Sequence, residues 1–181
     1  MTRPLLHAIA LLVIVGGCRT ARAGTTAPVQ QQRFYCELSH TNHAWSYHHQ
    51  GIYVDPDGGV FRFEHAPGDQ ALLRVPADSM TEQALLARYA PGRRRSGTVA
   101  AAELARRRAQ AAEARTGTLS ERTSRGDDMG DTVNRCWLPD AGGVYREVVL
   151  RHRGDWEFEN RAPAAAELSR WLDSLAMRPP M

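Results

Sequence analysis

Apolar and polar side chains alternate with a period of two along Val60–His65, where Phe61 and Phe63 share one face and Arg62 and Glu64 the other. That period describes a half-buried strand. The run Ala44–Val54 leads into it through Asp55-Pro56-Asp57-Gly58-Gly59, residue types that favour a tight turn, so the two runs predict a β-hairpin. Ahead of it, RFYCEL at 33–38 predicts a shorter strand. Thr132–Leu138 and Val144–Leu150, joined by PDAGG, predict a second hairpin. The likeness of PDGGVFRFE to PDAGGVYREV raises the duplication of one hairpin, although Pro-Asp-Gly turns arise readily without it.

Elsewhere the period shifts toward 3.6. Ala164, Leu168, Trp171, Leu172 and Leu175 form one apolar stripe, opened by Pro163 and closed by Pro179-Pro180, and Asn160 just ahead suits a cap. Ser79 with Glu82 three residues on reads as a capping box for a short helix through Ala84, Leu85, Leu86 and Tyr89, stopped by Pro91-Gly92. Val99–Arg115 is rich in alanine, glutamate and arginine, which favours a helix with little to bury. The expected fold class is α+β: an antiparallel sheet built from two hairpins, the C-terminal helix packed on one face, and an exposed Arg/Ala-rich helical insertion at 92–126. The flanking stretches GRRRSGT and SERTSRGDD read as mobile loops. Residues 33–178 make one such domain, since 181 residues leave room for a single core of the usual ~100–150 residues.

The amino terminus carries a different message. Arg3 precedes the apolar stretch Leu5–Val15, too short for the ~20 residues that cross a bilayer but of signal-peptide length. VGGC at Val15–Cys18 resembles the lipobox of bacterial lipoproteins, in which cleavage precedes a cysteine that then carries acyl chains. The resemblance implies a signal peptide at 1–17 and lipid on Cys18. Because Arg19 is not the aspartate that favours inner-membrane retention, it also implies an outer-membrane protein facing periplasm or exterior, and the small, polar, aperiodic run Arg19–Gln32 reads as a flexible tether at 18–32. An ordinary secretory signal cut near Ala21–Ala23 is the competing reading. With Cys18 acylated, Cys36 and Cys136 are left in an oxidising compartment, where an even remainder reads as a disulfide; two buried thiols are the alternative.

Charge narrows the partners. All 23 basic residues are arginine, 20 acids nearly balance them, and the formal net charge is +3, so no global basic field calls for nucleic acid. The triplets Arg93–Arg95 and Arg106–Arg108 suit either anionic lipid headgroups or plain solvation.

Candidate chemistry concentrates at HTNHAWSYHH, which holds four of the seven histidines. If 43–50 is one extended run, His43, Trp45, Tyr47 and His49 share a face. His43 and His49 are then metal-ligand candidates that need a third ligand such as Asp155, His65 or His152, while a polar strand face is the plainer reading. DPDGG resembles the start of a calcium loop but lacks the downstream acid, so a turn accounts for it. Asp155, Glu157 and Glu159 alternate with Trp156 and Phe158, which describes an amphipathic strand before it describes paired catalytic acids. No nucleophile elbow, P-loop or dinucleotide fingerprint occurs, and no cofactor is expected.

Trp45, Tyr47, Gly51, Asp55, Gly58 and Val60, followed by Asp128-Met129-Gly130, Gly154-Asp155-Trp156, Asn160 and Trp171-Leu172, resemble a group of exported bacterial proteins and lipoproteins. These share a W-x-Y…G-x-x-x-D-x-x-G-x-V opening and a D-M-G…G-D-W-x-x-x-N…W-L ending. The resemblance implies a common fold and export and carries no activity. The expectation is therefore a lipid-anchored envelope domain with a binding or assembly-supporting role. Its partners would be the membrane through Cys18 and an envelope protein. The competing expectation is a small metal-dependent hydrolase using the His40–His49 strand.

Overall fold

The computed structural model describes residues 33–44, 47–66 and 78–179. The expected signal peptide, Cys18, the tether and Trp45 lie outside the described residues. The chain begins with β1 (Tyr35–Asn42), β2 (His48–Val54) and β3 (Gly59–His65). Then come β4 (Ser79–Met80), α1 (Glu82–Tyr89), β5 (Arg94–Thr98), α2 (Ala101–Ala114) and β6 (Thr123–Ser124). β7 (Asp131–Pro139), β8 (Tyr145–Gly154), β9 (Trp156–Glu159) and α3 (Pro163–Ala176) complete the fold. Every strand pairing is antiparallel, in the order β5-β3-β2-β1-β7-β8-β9-β6, with β4 added beside β8. The class is α+β.

The sheet exceeds two hairpins. Both expected hairpins exist, as β2–β3 and β7–β8, but β1 and β9 extend each into a three-stranded meander, and the pairing of β1 with β7 fuses the two. Their turns close in the same way. Asp55 Oδ1 accepts from the amides of Asp57 and Gly59 at 3.0 and 2.7 Å, and Asp140 Oδ1 accepts from Gly142 and Val144 at 2.9 and 3.2 Å. A glycine with positive φ, Gly58 or Gly143, sits three residues past each aspartate. The aspartate is thus a turn-former at both places.

Two stretches read as loops are strands. GRRRSGT contains β5, which pairs with β3, and SERTSRGDD contains β6, which pairs with β9. Neither has an apolar residue to give a period, because an edge strand can be held by backbone hydrogen bonds alone while charged side chains shield its outer rim. The capping box also shifts. Ser79 belongs to β4, and Thr81 caps α1 by accepting from the Ala84 amide at 3.1 Å.

Pleating divides the side chains between two faces. On one face Cys36, Ile52, Val54, Leu138, Val148 and Leu150 meet the stripe Leu168, Trp171, Leu172 and Leu175 of α3. Cys36 and Cys136, opposite one another on β1 and β7, are joined there as a disulfide. The α2 helix is less detached than its composition suggests. Ala111 and Ala114 are fully buried, and Arg107 lies 5.1 Å over the Trp171 ring of α3. Small side chains bring the two helices close without a broad apolar stripe.

Asn160 works as a junction. Its Oδ1 accepts from the Ala162 amide at 3.0 Å, and its Nδ2 donates to Ala114 O and Val149 O at 2.9 and 3.2 Å. It therefore ties the start of α3 to the end of α2 and to β8, whereas the cap position itself belongs to Ala162.

Candidate functional site

The histidine-rich stretch is not one strand. His40 lies on β1, His48 and His49 open β2, and 43–47 connect them, with Asn42 Oδ1 accepting from the Ala44 amide at 2.8 Å to start the turn. An asparagine able to bond its own backbone two residues on was the available signal for that turn. The three metal-ligand candidates separate accordingly. His43 stays exposed, its ring 5.5 Å from that of Tyr47. His49 is 1% exposed, against the rings of Phe63 and His65.

Asp155 occupies the β8–β9 turn, where its Oδ1 accepts from the Met129 amide at 2.8 Å and its own amide donates to Gly130 O at 3.3 Å. The Asp-Met-Gly and Gly-Asp-Trp motifs thus lock one corner. A side chain at Gly154 would strike Gly130 O at 1.9 Å. Of the other two acids in this stretch, Glu157 pairs with Arg125, so the carboxylates do not converge as a catalytic set. Among the described residues no three His, Cys, Asp or Glu side chains come together as a metal site.

The densest chemistry lies under α1, on the face opposite the disulfide. Glu37 of β1 is fully buried. Arg88 reaches it from α1 at 3.1 Å, and Arg135 reaches it from β7 at the same distance. The hydroxyls of Ser39 and Tyr89 donate to the same carboxylate. Arg135 also pairs with Glu147 at 2.6 Å. Burial alone would push the Glu37 carboxyl up, but Arg88 and Arg135 hold it well below the usual carboxylate range. Burial raises Glu147, with Arg135 opposing. For His49, burial first and then the neighbouring Arg88 hold the imidazole down to about 3, so it is neutral at physiological pH.

Such a cluster invites an acid–base reading, yet its geometry belongs to a clamp. The Glu37 carboxylate is satisfied by two hydroxyls and two guanidiniums, and Tyr35, Tyr53, Phe63, Trp137 and Tyr145 pack around it with α1. A proton acceptor committed to four donors and enclosed by rings has no room for substrate. None of its members was singled out from the sequence except His49. A glutamate between Cys36 and Leu38 in an apolar run was the visible anomaly.

The second candidate opens to solvent. A cleft of about 420 Å³ lies between the C-terminal end of α3 and the edge strand β5, on the disulfide face. Leu38, Ile52 and Ala176 contribute apolar floor, while Arg62, Glu64, Arg94 and Arg95 line it with charge. Its volume falls in the ~300–1,000 Å³ range of small-molecule sites. The helix creates it by ending early, leaving part of β1–β3 uncovered. Arg62 donates to Ala176 O and Arg178 O at 2.9 and 2.8 Å, which satisfies the last carbonyls of α3 and offsets the negative helix end.

A bulge shapes the rim. Val60 pairs with Gly97 and Phe61 with Arg95, so Ser96 is the extra residue on β5 and lines the cleft. Bulges re-aim side chains beside binding sites. The arginine triplet of 93–95 was visible in the sequence; that it splits, with Arg93 lying 4.0 Å over the Phe61 ring and Arg94 lining the cleft, was not.

Comparison with known protein families, with curated proteins and with solved structures finds nothing that matches this chain. Among the described residues no helix is long and apolar enough to cross a membrane.

Proposed function

We propose that this protein is a lipid-anchored component of the bacterial envelope, tethered through Cys18 at the outer membrane, that acts by binding and not by catalysis. The observation that carries the binding role is the contrast between the two candidate sites. The cluster richest in titratable groups is enclosed and internally satisfied, while the open cleft offers an apolar floor under arginines without a nucleophile and base held together. Charged groups over apolar surface fix and orient a ligand, and nothing further is needed for recognition.

Anchoring rests on the lipobox-like VGGC and on the tether of small polar residues that follows it. Several acyl chains on one cysteine hold a protein stably, at about 0.8 kcal/mol per buried methylene. The test is mass spectrometry of the protein extracted from the membranes of its host. The expected result is an amino terminus at Cys18 bearing acyl chains, together with the two-proton deficit of a bond between Cys36 and Cys136. An unmodified amino terminus downstream of Arg19 overturns the anchor.

A further inference from the structure

The cleft beside α3 combines three features. Its floor is aliphatic, from Leu38, Ile52 and Ala176. Its rim holds Arg94 and Arg95, both exposed, on a strand bulged at Ser96. Its inner wall holds Arg62, already committed to the helix carbonyls, so the helix end does not repel an incoming anion.

Charge decides the ligand. Three arginines line the cleft against the single carboxylate of Glu64; Arg62 is engaged by the carbonyls at the end of α3 and Arg95 by Thr98 Oγ1, which leaves Arg94 uncommitted. That balance suits one anionic group. A polyanion would meet Glu64, and an uncharged hydrocarbon would leave the exposed Arg94 guanidinium unused. Arg95 is held along β5 by its bond to Thr98 Oγ1 at 3.1 Å, which orders the rim before a ligand arrives.

From this we infer that the cleft binds a single-chain lipid anion. Its carboxylate or phosphate monoester head contacts Arg94, which pairs with Arg62 across β3 and β5 on the cleft face, and its hydrocarbon body lies on Leu38, Ile52 and Ala176. The inference rests on the binding role proposed above and names the ligand class of that site. Phosphate and carboxylate are alike in accepting two parallel N–H bonds from a guanidinium, so the head chemistry is shared between them.

The test is calorimetric titration of the purified full-length protein with octyl phosphate, octanoate, inorganic phosphate and octanol. Octyl phosphate and octanoate are expected to bind about tenfold or more tightly than either inorganic phosphate or octanol, since head and body each contribute. The variant Arg94→Ala is expected to weaken both amphiphiles by about tenfold while its melting temperature stays within about 2 °C of the parent, as exposed substitutions do. Ser96→Trp, which fills the cleft from the bulge, is expected to abolish binding of both.

Equal affinity for inorganic phosphate reduces the site to an anion patch, and equal affinity for octanol reduces it to a greasy surface; either result overturns the inference. Unchanged binding in both variants moves the ligand elsewhere and overturns it too. If no compound binds while Cys18 is found acylated, the ligand class fails and the anchored binding role stands. An unacylated Cys18 defeats the anchor whatever the titrations give.

Discussion

The two faces of the sheet are closed by helices of unequal length over unlike chemistry. On the disulfide face a 14-residue helix, α3, lays leucines and a tryptophan over aliphatic strand residues. On the opposite face an 8-residue helix, α1, brings only Leu85 and Tyr89 as large apolar groups and places Arg88 over a buried carboxylate. Area removed from water accounts for the first closure at ~25 cal/mol per Å². The second cannot be so explained, because burying Glu37 is unfavourable until Arg88 and Arg135 arrive. The long helix docks by burial, and the short one docks because a charge on the sheet requires its arginine.

That contrast breaks most visibly at Glu37. Replacing it by glutamine leaves Arg88 and Arg135 facing a neutral amide, and a loss of about 3–5 kcal/mol is expected in urea denaturation. The double variant E37M/R88M is expected to be more stable than E37Q, because it removes the unpaired Arg88 and leaves Arg135 paired with Glu147. A loss for E37Q below about 1 kcal/mol would mean that α1 is held by its rings alone.

Next in size is the apolar face, where Leu172→Ala opens a cavity under α3 and is expected to cost about 2–5 kcal/mol in the same assay. No second substitution on that face should recover the loss by removing a charge, since among the described residues no charged one is buried there.

The smallest effect sharpens the comparison through pH. Because the His49 imidazole is held down to about 3, the unfolded chain takes up a proton near pH 6.5 that the folded one refuses, and stability falls as pH drops through that window. Between pH 7 and pH 5 the loss is about 2 kcal/mol. Glu37 acts in the same sense at lower pH. Its depressed folded value means that its stabilisation is present above the ordinary carboxylate range near ~4.3 and is lost as pH falls toward the folded value. Burial raises Glu147, so that group opposes the trend over the carboxylate range. The variant H49Q, measured by chemical denaturation at pH 7 and pH 5, is expected to lose most of the upper part of this slope. A slope unchanged in H49Q would place the proton uptake elsewhere.

What could be read in advance follows the same division. Both hairpins and α3 were legible because a period of two or 3.6 in apolar residues reports directly on which face is buried. Asp55 and Asp140 were legible as turn-formers because an aspartate with a glycine three residues on carries its own local hydrogen bonds. β5 and β6 were not, since an edge strand of arginine, serine and threonine is held by the backbone of its neighbour and leaves no side-chain period. The histidine run misled for a related reason: Asn42 turns the chain in its middle, so residues close in sequence end on two strands. Glu37 stood out only as a charge in an apolar run, and its partners Arg88, Arg135 and Tyr89 lie 50 to 100 positions away.

The sequence by itself determined the α+β class, the C-terminal helix, both Asp-Gly turns and the candidate cysteine pair, because each depends on neighbours a few residues apart or on counting. Only the tertiary structure decided that Glu37 sits between two distant arginines and that a short helix closes the second face over it. It alone brought Arg94 over an apolar floor beside the end of α3. Those outcomes depend on which strands become neighbours, and strand pairing across long loops is set by the summed burial of the whole sheet, which no local stretch of the chain encodes.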